Sequence, residues 1–244
     1  MKDKKILLVT GASSDIGMGL IRKVYRNYSI VLAHYRTEND QLLQLQDDIG
    51  KERCLLIKAD FSEPEDIARL ISDIREADLI PDHIVHLPAP KAFNKKFHKC
   101  TLAEYRQELQ ISFLSIEEIL RTFIPYMSKN RYGKIILMLS SCCINNPPKY
   151  QAPYVTTKYA LMGLMKSLSV EYADKGITVN AVSPDMIETK FLSEVPDLII
   201  ETNAAAGPTG RNLQVEDVTP AIQFLLSEDA DMITGTNITI TGGK

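Results

Sequence analysis

Tyr154 and Lys158 stand four residues apart in Tyr154-Val155-Thr156-Thr157-Lys158, a spacing that puts a phenol and an ammonium on one face of a helix. A phenol titrating near ~10 is a poor base at neutral pH, but a neighbouring cation stabilises the phenolate and moves its pKa down. Such a group can give a proton to an alkoxide and take it back, which hydride transfer to a carbonyl and its reverse both demand. Ser140-Ser141 lies upstream at the end of a strand-like run. A hydroxyl there can hydrogen-bond a substrate oxygen and stabilise developing charge. Singly, each residue has an ordinary alternative: an aromatic packed at a helix start for Tyr154, a solvated helix charge for Lys158.

Near the start of the chain, Thr10-Gly11-Ala12-Ser13-Ser14-Asp15-Ile16-Gly17 joins a strand-like run to a helical one. Glycines there let backbone approach a pyrophosphate, and the free N–H groups of a helix start point at its charge. The same pair also suits an ordinary strand-to-helix turn.

Joined in this order, the glycine turn, the serine pair and the tyrosine-lysine spacing resemble the short-chain dehydrogenase/reductase family. Its pattern is a TGxxxGxG turn, a serine after the fifth strand and YxxxK about a dozen residues later. The resemblance covers essentially the whole chain. Asp60 falls where the family has its adenine-contacting acid, Asn180-Ala181-Val182-Ser183-Pro184 matches the segment after the sixth strand, and Thr241-Gly242-Gly243 matches the terminal motif. The closest likeness is to the 3-oxoacyl-(acyl-carrier-protein) reductase branch, a group that also includes reductases of sugars, steroids and small ketones.

The resemblance implies hydride transfer between a nicotinamide cofactor and a carbonyl or alcohol, with Ser141, Tyr154, Lys158 and Ser112 as catalytic residues. The family's spacing to the tyrosine selects Ser141 over Ser140, and Lys158 also holds the nicotinamide ribose. Expected cofactor contacts are Gly11, Ser13, Ser14, Asp15, Ile16, Gly17, Arg36, Asp60, Ala89, Pro184, Ile187 and Thr189, besides Tyr154 and Lys158. His34-Tyr35-Arg36 follows the second strand without the acid that would bind the ribose 2′-hydroxyl of NAD. Arg36 can instead pair with the 2′-phosphate of NADP, which favours NADP(H) with NAD(H) still possible. The alternative for Arg36 is a solvated surface charge.

Four positions depart from the family. Asp15 replaces the second turn glycine. Facing a pyrophosphate at ~6 Å, it would cost about 3 kcal/mol at an effective dielectric of about 20, on the order of a hundredfold in affinity; turned away to cap the helix, it costs little. His86-Leu87-Pro88-Ala89 replaces the family's NNAG, and His86 is either a substitute hydrogen-bonder or a satisfied core residue. Ser112 stands where many members have an asparagine supporting a proton relay through water to the lysine. Asp185 replaces the glycine after Pro184, near the expected nicotinamide. These changes leave open a second reading, a catalytically weakened nucleotide-binding or scaffold protein. A methyltransferase with a similar glycine turn would leave the serine, tyrosine and lysine spacing unexplained.

The elements that must position these residues are legible as apolar, β-branched runs: Lys5 to Thr10, Ser29 to His34, Leu55 to Ala59, His83 to Leu87, Gly133 to Leu139, Ile177 to Val182 and Asn237 to Ile240. Helical patterns separate them at about Ile16 to Arg26, Glu38 to Ile49, Pro64 to Glu76, Leu102 to Ser128, Pro153 to Asp174 and Val215 to Leu226. Ser62 is placed to cap the third of these, with Pro64 at its first turn. The alternation predicts an α/β fold: one Rossmann-like doubly wound domain over 1–244, with about seven parallel strands and helices on both faces. The irregular stretch from about 184 to 213 reads as a substrate loop or lid. Its Phe191, Leu192, Val195, Leu198, Ile199 and Ile200 could instead form a short helix packed on the core.

A hydrophobic fraction of 45% and a charged fraction of 24% are those of an ordinary globular chain, and a formal charge of -3 gives no broad positive field for nucleic acid or acidic membranes. Met1-Lys2-Asp3-Lys4-Lys5 runs straight into a strand, and no apolar stretch approaches membrane-spanning length, so a cytoplasmic protein is expected. The four cysteines lack metal-site spacing and read as reduced thiols, with a strained Cys142–Cys143 disulfide as the alternative. The stretch from Lys91 to Lys99, with Ala92 and Phe93 among its lysines, could dock an acyl carrier or coenzyme A thioester, or be a solvated loop. The resemblance implies a homotetramer or homodimer through the two long helices, where Leu161, Met162, Leu164, Met165 and Leu168 supply apolar positions.

Overall fold

In a computed structural model describing residues 5–91, 94–193 and 195–244, the apolar runs form seven strands: β1 Ile6–Thr10, β2 Ile30–Tyr35, β3 Cys54–Lys58, β4 His83–His86, β5 Gly133–Met138, β6 Ile177–Pro184 and β7 Asn237–Ile240. Met1 to Lys4, and Ala92 and Phe93 of the basic stretch, lie outside the described residues. The strands pair in parallel in the order β3-β2-β1-β4-β5-β6-β7. Consecutive strands proceed outward from β1 in one direction and from β4 in the other, so the crevice between their carboxyl ends is the topological switch point, where such sheets bind ligands.

The helices are α1 Asp15–Val24, α2 Asp40–Ile49, α3 Pro64–Glu76, α4 Leu102–Leu109, α5 Ser115–Asn130, α6 Ala152–Glu171, α7 Asp197–Ala206 and α8 Val215–Leu226. Two apolar cores sandwich the sheet. One gathers Leu20, Ile21, Leu42, Val218 and Ile222 on the face of α1, α2 and α8; the other gathers Ile67, Leu70, Phe123, Leu161 and Met165 under α3, α5 and α6. Burial on both faces explains why Ile135, Ile136 and Leu137 are all apolar and all inaccessible.

Four local expectations need correction. The single helix expected over Leu102 to Ser128 is interrupted by a π turn at Gln110–Leu114 between α4 and α5. One extra residue in that turn re-aims the side chains on either side of it, and no glycine or proline marks it. Ser62 does not cap α3. Its hydroxyl donates to Asp60 at 2.7 Å, and the cap position is Glu63, which makes no side-chain cap bond. The stretch after β6 does contain a helix, α7, but none of its residues is buried, and Leu198 and Ile199 face outward. Of the five apolar residues assigned to a subunit interface, Leu161 and Met165 are fully buried in this chain's own core, while Met162, Leu164 and Leu168 are partly buried against it. Among the described residues, no helix is long and apolar enough to cross a membrane.

Candidate active site

The glycine turn closes β1 onto α1. Gly11 has φ +74°, and a Cβ at Gly17 would meet the Gly11 carbonyl oxygen at 2.6 Å, so both positions need glycine for a turn this tight. Ser14 caps α1: its hydroxyl accepts from the Gly17 N–H at 3.0 Å and donates to the Gly11 carbonyl at 2.7 Å. Ser13 holds the neighbouring segment through its carbonyl, which accepts from Asn39 Nδ2 at 3.1 Å. Ile16 is half-buried against the first core. Asp15 takes neither of its two expected positions as the whole answer. Ser14 is the cap, and the Asp15 carboxylate accepts the Lys190 N–H at 2.8 Å, joining the turn to the stretch after β6.

Two neutral histidines brace this region. His34 Nε2 meets the Ala59 carbonyl at 3.0 Å, which can only accept, so Nδ1 is bare and accepts the Gly11 N–H at 3.1 Å. By the same reasoning His86 Nε2–H donates to the Ser112 carbonyl at 3.0 Å and Nδ1 accepts from the Thr10 hydroxyl at 2.8 Å. Burial lowers His34 to about 4 and His86 to about 3. Both rings lie nearly parallel to that of Phe61, with centroids at 3.9 and 6.4 Å. His86 is thus both a substitute hydrogen-bonder and a satisfied buried residue.

Arg36 is exposed just beyond β2, and Ala89 is half-buried beyond β4. The Asp60 carboxylate is spent on its own turn, accepting from the Ser62 N–H at 2.9 Å as well as from its hydroxyl. Pro184 ends β6, Ile187 is buried and bridges to Leu213, and the Thr189 hydroxyl donates to the Ile187 carbonyl at 3.4 Å.

Ser140 and Ser141 sit on a 3₁₀ turn at the carboxyl end of β5, against the first turns of α6. Both hydroxyls are engaged. Ser140 accepts from the Cys142 N–H at 3.3 Å and is hydrogen-bonded with the half-buried Tyr154. Ser141 donates to Asp185 at 3.1 Å. Asp185 in turn accepts from Lys244 Nζ at 2.7 Å and Asn203 Nδ2 at 3.3 Å, and this neighbouring cation and the hydrogen bonds hold its carboxyl below the usual range against burial.

Tyr154 and Lys158 share a face of α6, with the ammonium 5.4 Å from the centre of the phenol ring. The expected downward shift of the phenol is not what this arrangement gives. Burial pushes Tyr154 well above its ordinary value, with the Ser140 hydrogen bond opposing, while Lys158 spends its ammonium on the Met138 carbonyl at 2.8 Å. Burial lowers Lys158 as well. Ser112, fully buried in the π turn, donates to Glu108 at 3.2 Å. Glu108 gave no signal in the sequence beyond one more acid on a helix, and Lys244 and Asn203 gave none at all.

The donor set fits a dinucleotide: a tight glycine turn feeding a capped helix start, set at the switch point beside the phenol and ammonium. Residues 11–244 match the family model described as enoyl-(acyl carrier protein) reductase. The chain is 30% identical over 242 residues to the 3-oxoacyl-(acyl-carrier-protein) reductase FabG of Rickettsia bellii, covering 97% of this chain and 95% of that one. It is 25% identical over 258 residues to the D-beta-hydroxybutyrate dehydrogenase of Rhizobium meliloti, covering 98% of each. Among solved structures, ElxO with NADP bound superposes with a TM-score of 0.86 at 25% identity, covering 98% of each chain.

Proposed function

The chain belongs to the short-chain dehydrogenase/reductase family of oxidoreductases, and we propose that it is a cytoplasmic, NADP(H)-preferring reductase of a 3-oxoacyl thioester or small ketone. The observation that carries this reading is that the Gly11–Gly17 turn and the Ser141, Tyr154 and Lys158 group lie at the carboxyl ends of β1 and β5, the strands that flank β4. The relative from Rickettsia bellii, named for a 3-oxoacyl carrier substrate, supports the substrate class. The NADP carried by ElxO supports the cofactor class.

Bound nicotinamide supplies or takes the hydride. The protein's residues do the remainder. The N–H groups at the start of α1 would hold the pyrophosphate, Arg36 the 2′-phosphate and Lys158 the ribose. Ser141 orients the substrate oxygen, and Tyr154 moves a proton to or from it. Residues 184–213 act as a lid over the carboxyl ends of the strands, and two or four copies assemble through the α4–α5 segment and α6.

The test is a titration with NADPH and NADH followed by NADPH oxidation with a panel of 3-oxoacyl thioesters and small ketones. Saturable binding is expected, with turnover falling about 10²-fold or more in Tyr154→Phe while cofactor affinity stays. Binding with no turnover on any substrate would favour the scaffold reading that the departures at Asp15, Ser112, Asp185 and the His86–Ala89 segment leave open.

A further inference from the structure

Glu108 is a carboxylic acid where a helix ordinarily buries an apolar side chain: only 3% of the residue is exposed. It projects from α4, which packs against α6, and its Oε1 accepts the hydroxyl of the fully buried Ser112 at 3.2 Å. The carbonyl of Ser112 is held by His86, itself tied to Thr10 on β1. Glu108 is therefore fixed by a chain of buried hydrogen bonds anchored in the sheet. The same chain places it within electrostatic reach of Lys158, the group that most opposes Glu108's burial and whose own burial Glu108 most opposes. A buried ion needs an opposite charge or it neutralises.

Building on the reductase reading above, we propose that Glu108 is a positioning residue for proton transfer: its carboxylate is the buried counter-charge that keeps Lys158 an ammonium beside Tyr154. No proton leaves Glu108 in this role. The Glu108 charge by itself pushes Tyr154 up, along with burial, so its benefit to the reaction passes through Lys158, whose positive charge opposes that rise and favours the phenolate.

The titratable groups facing Lys158 are Glu108 from α4, Cys142 and Cys143 from the turn after β5, neutral His86 from β4 and Tyr154 on its own helix. Cys142 is the competing anion, because hydrogen bonds from Cys143 and Ser140 and the Lys158 charge bring its thiol down to about 7. The test therefore compares Glu108→Gln and Glu108→Asp, each also in a Cys142→Ser background.

Two readouts are taken: the Lys158 titration by NMR of 13Cε-labelled lysine without added nucleotide, and the pH profile of kcat with NADPH. In Glu108→Gln the Lys158 titration and the alkaline limb of kcat both move to lower pH. At mildly alkaline pH kcat drops about tenfold, within the ~10²–10⁴ that acid–base chemistry contributes, while KM changes little. Glu108→Asp restores part of both. A folded Glu108→Gln protein, judged by its melting temperature, whose Lys158 titrates as in the wild type overturns the inference. Absence of Tyr154-dependent turnover in the wild type would instead strike the reductase reading and leave the NMR comparison standing. Should Glu108→Gln fail to fold, the Glu108→Asp titration decides: an unmoved Lys158 refutes the proposal.

Discussion

The Ser141 hydroxyl donates to the Asp185 carboxylate at 3.1 Å, so its single proton points at an acid from the stretch after β6. A substrate oxygen competing for that proton must displace a charged acceptor, and hydrogen bonds to charged groups contribute about 1.5–3 kcal/mol.

Asp185→Ala frees that proton. We expect kcat/KM for ketone reduction to rise about tenfold, and the melting temperature to fall because Lys244 and Asn203 lose their acceptor. Steady-state kinetics and a thermal melt on the same preparation check it. A drop in kcat/KM with unchanged melting would show that Asp185 assists Ser141.

Asp15 spends its carboxylate on the Lys190 N–H, so it is aimed at the stretch after β6. Asp15→Ala is expected to change NADPH affinity less than threefold, well short of the about hundredfold that a carboxylate facing the pyrophosphate would account for. Exchange of the Lys190 amide with deuterium should quicken in the same variant. Calorimetry and hydrogen exchange read the two effects separately, and a hundredfold gain in NADPH affinity would mean the acid had been aimed at the phosphates.

Arg36 is exposed, so its removal should leave the fold alone. Arg36→Ala is expected to weaken NADPH binding about tenfold and leave NADH binding unchanged, as loss of a single charge-assisted phosphate contact requires. Equal Kd changes for the two nucleotides would show that the 2′-phosphate is recognised elsewhere.

Acid should unfold the protein through its histidines before its carboxylates. Burial lowers His34 to about 4 and His83 and His86 to about 3, against 6.5 for the exposed ring. Each is a base depressed by folding, so below pH 6.5 the unfolded chain binds protons that the native one refuses, and stability falls as pH drops. With three such rings the slope approaches ~4 kcal/mol per pH unit around pH 5. The Asp185 contribution, from a carboxyl held down in the fold, is present above its ordinary 3.8 and disappears only below it. Urea midpoints at pH 7, 6 and 5 measure the slope, and a flat profile would mean the rings take up protons within the fold.

The backbone of this molecule was written plainly in its residues. Pro64–Glu76, Val215–Leu226 and Asn237–Ile240 emerge with the ends that their apolar periodicity indicates, and the remaining strands shift by only a residue or two. Local patterns determine elements of that kind. What escaped depends on contacts between distant segments. Glu108 resembles any surface acid until α6 is packed over it, and Asp185 stands out by type but not by its partner Lys244, which lies 59 residues further on. The π turn at Gln110–Leu114 escaped for a different reason: its residues suit a regular helix equally well, and the His86 bond to the Ser112 carbonyl within it comes from a distant strand.

Beneath the switch point, the stacked rings of His34, Phe61 and His86 form an electrically silent floor. Both imidazoles already hold a donor on one nitrogen and an acceptor on the other, and neither gains charge until well into acid. Within the folded protein the ionisation that sets turnover therefore belongs to other side chains, and those nearest the reacting atoms, Tyr154, Lys158 and Cys142, cluster around α6.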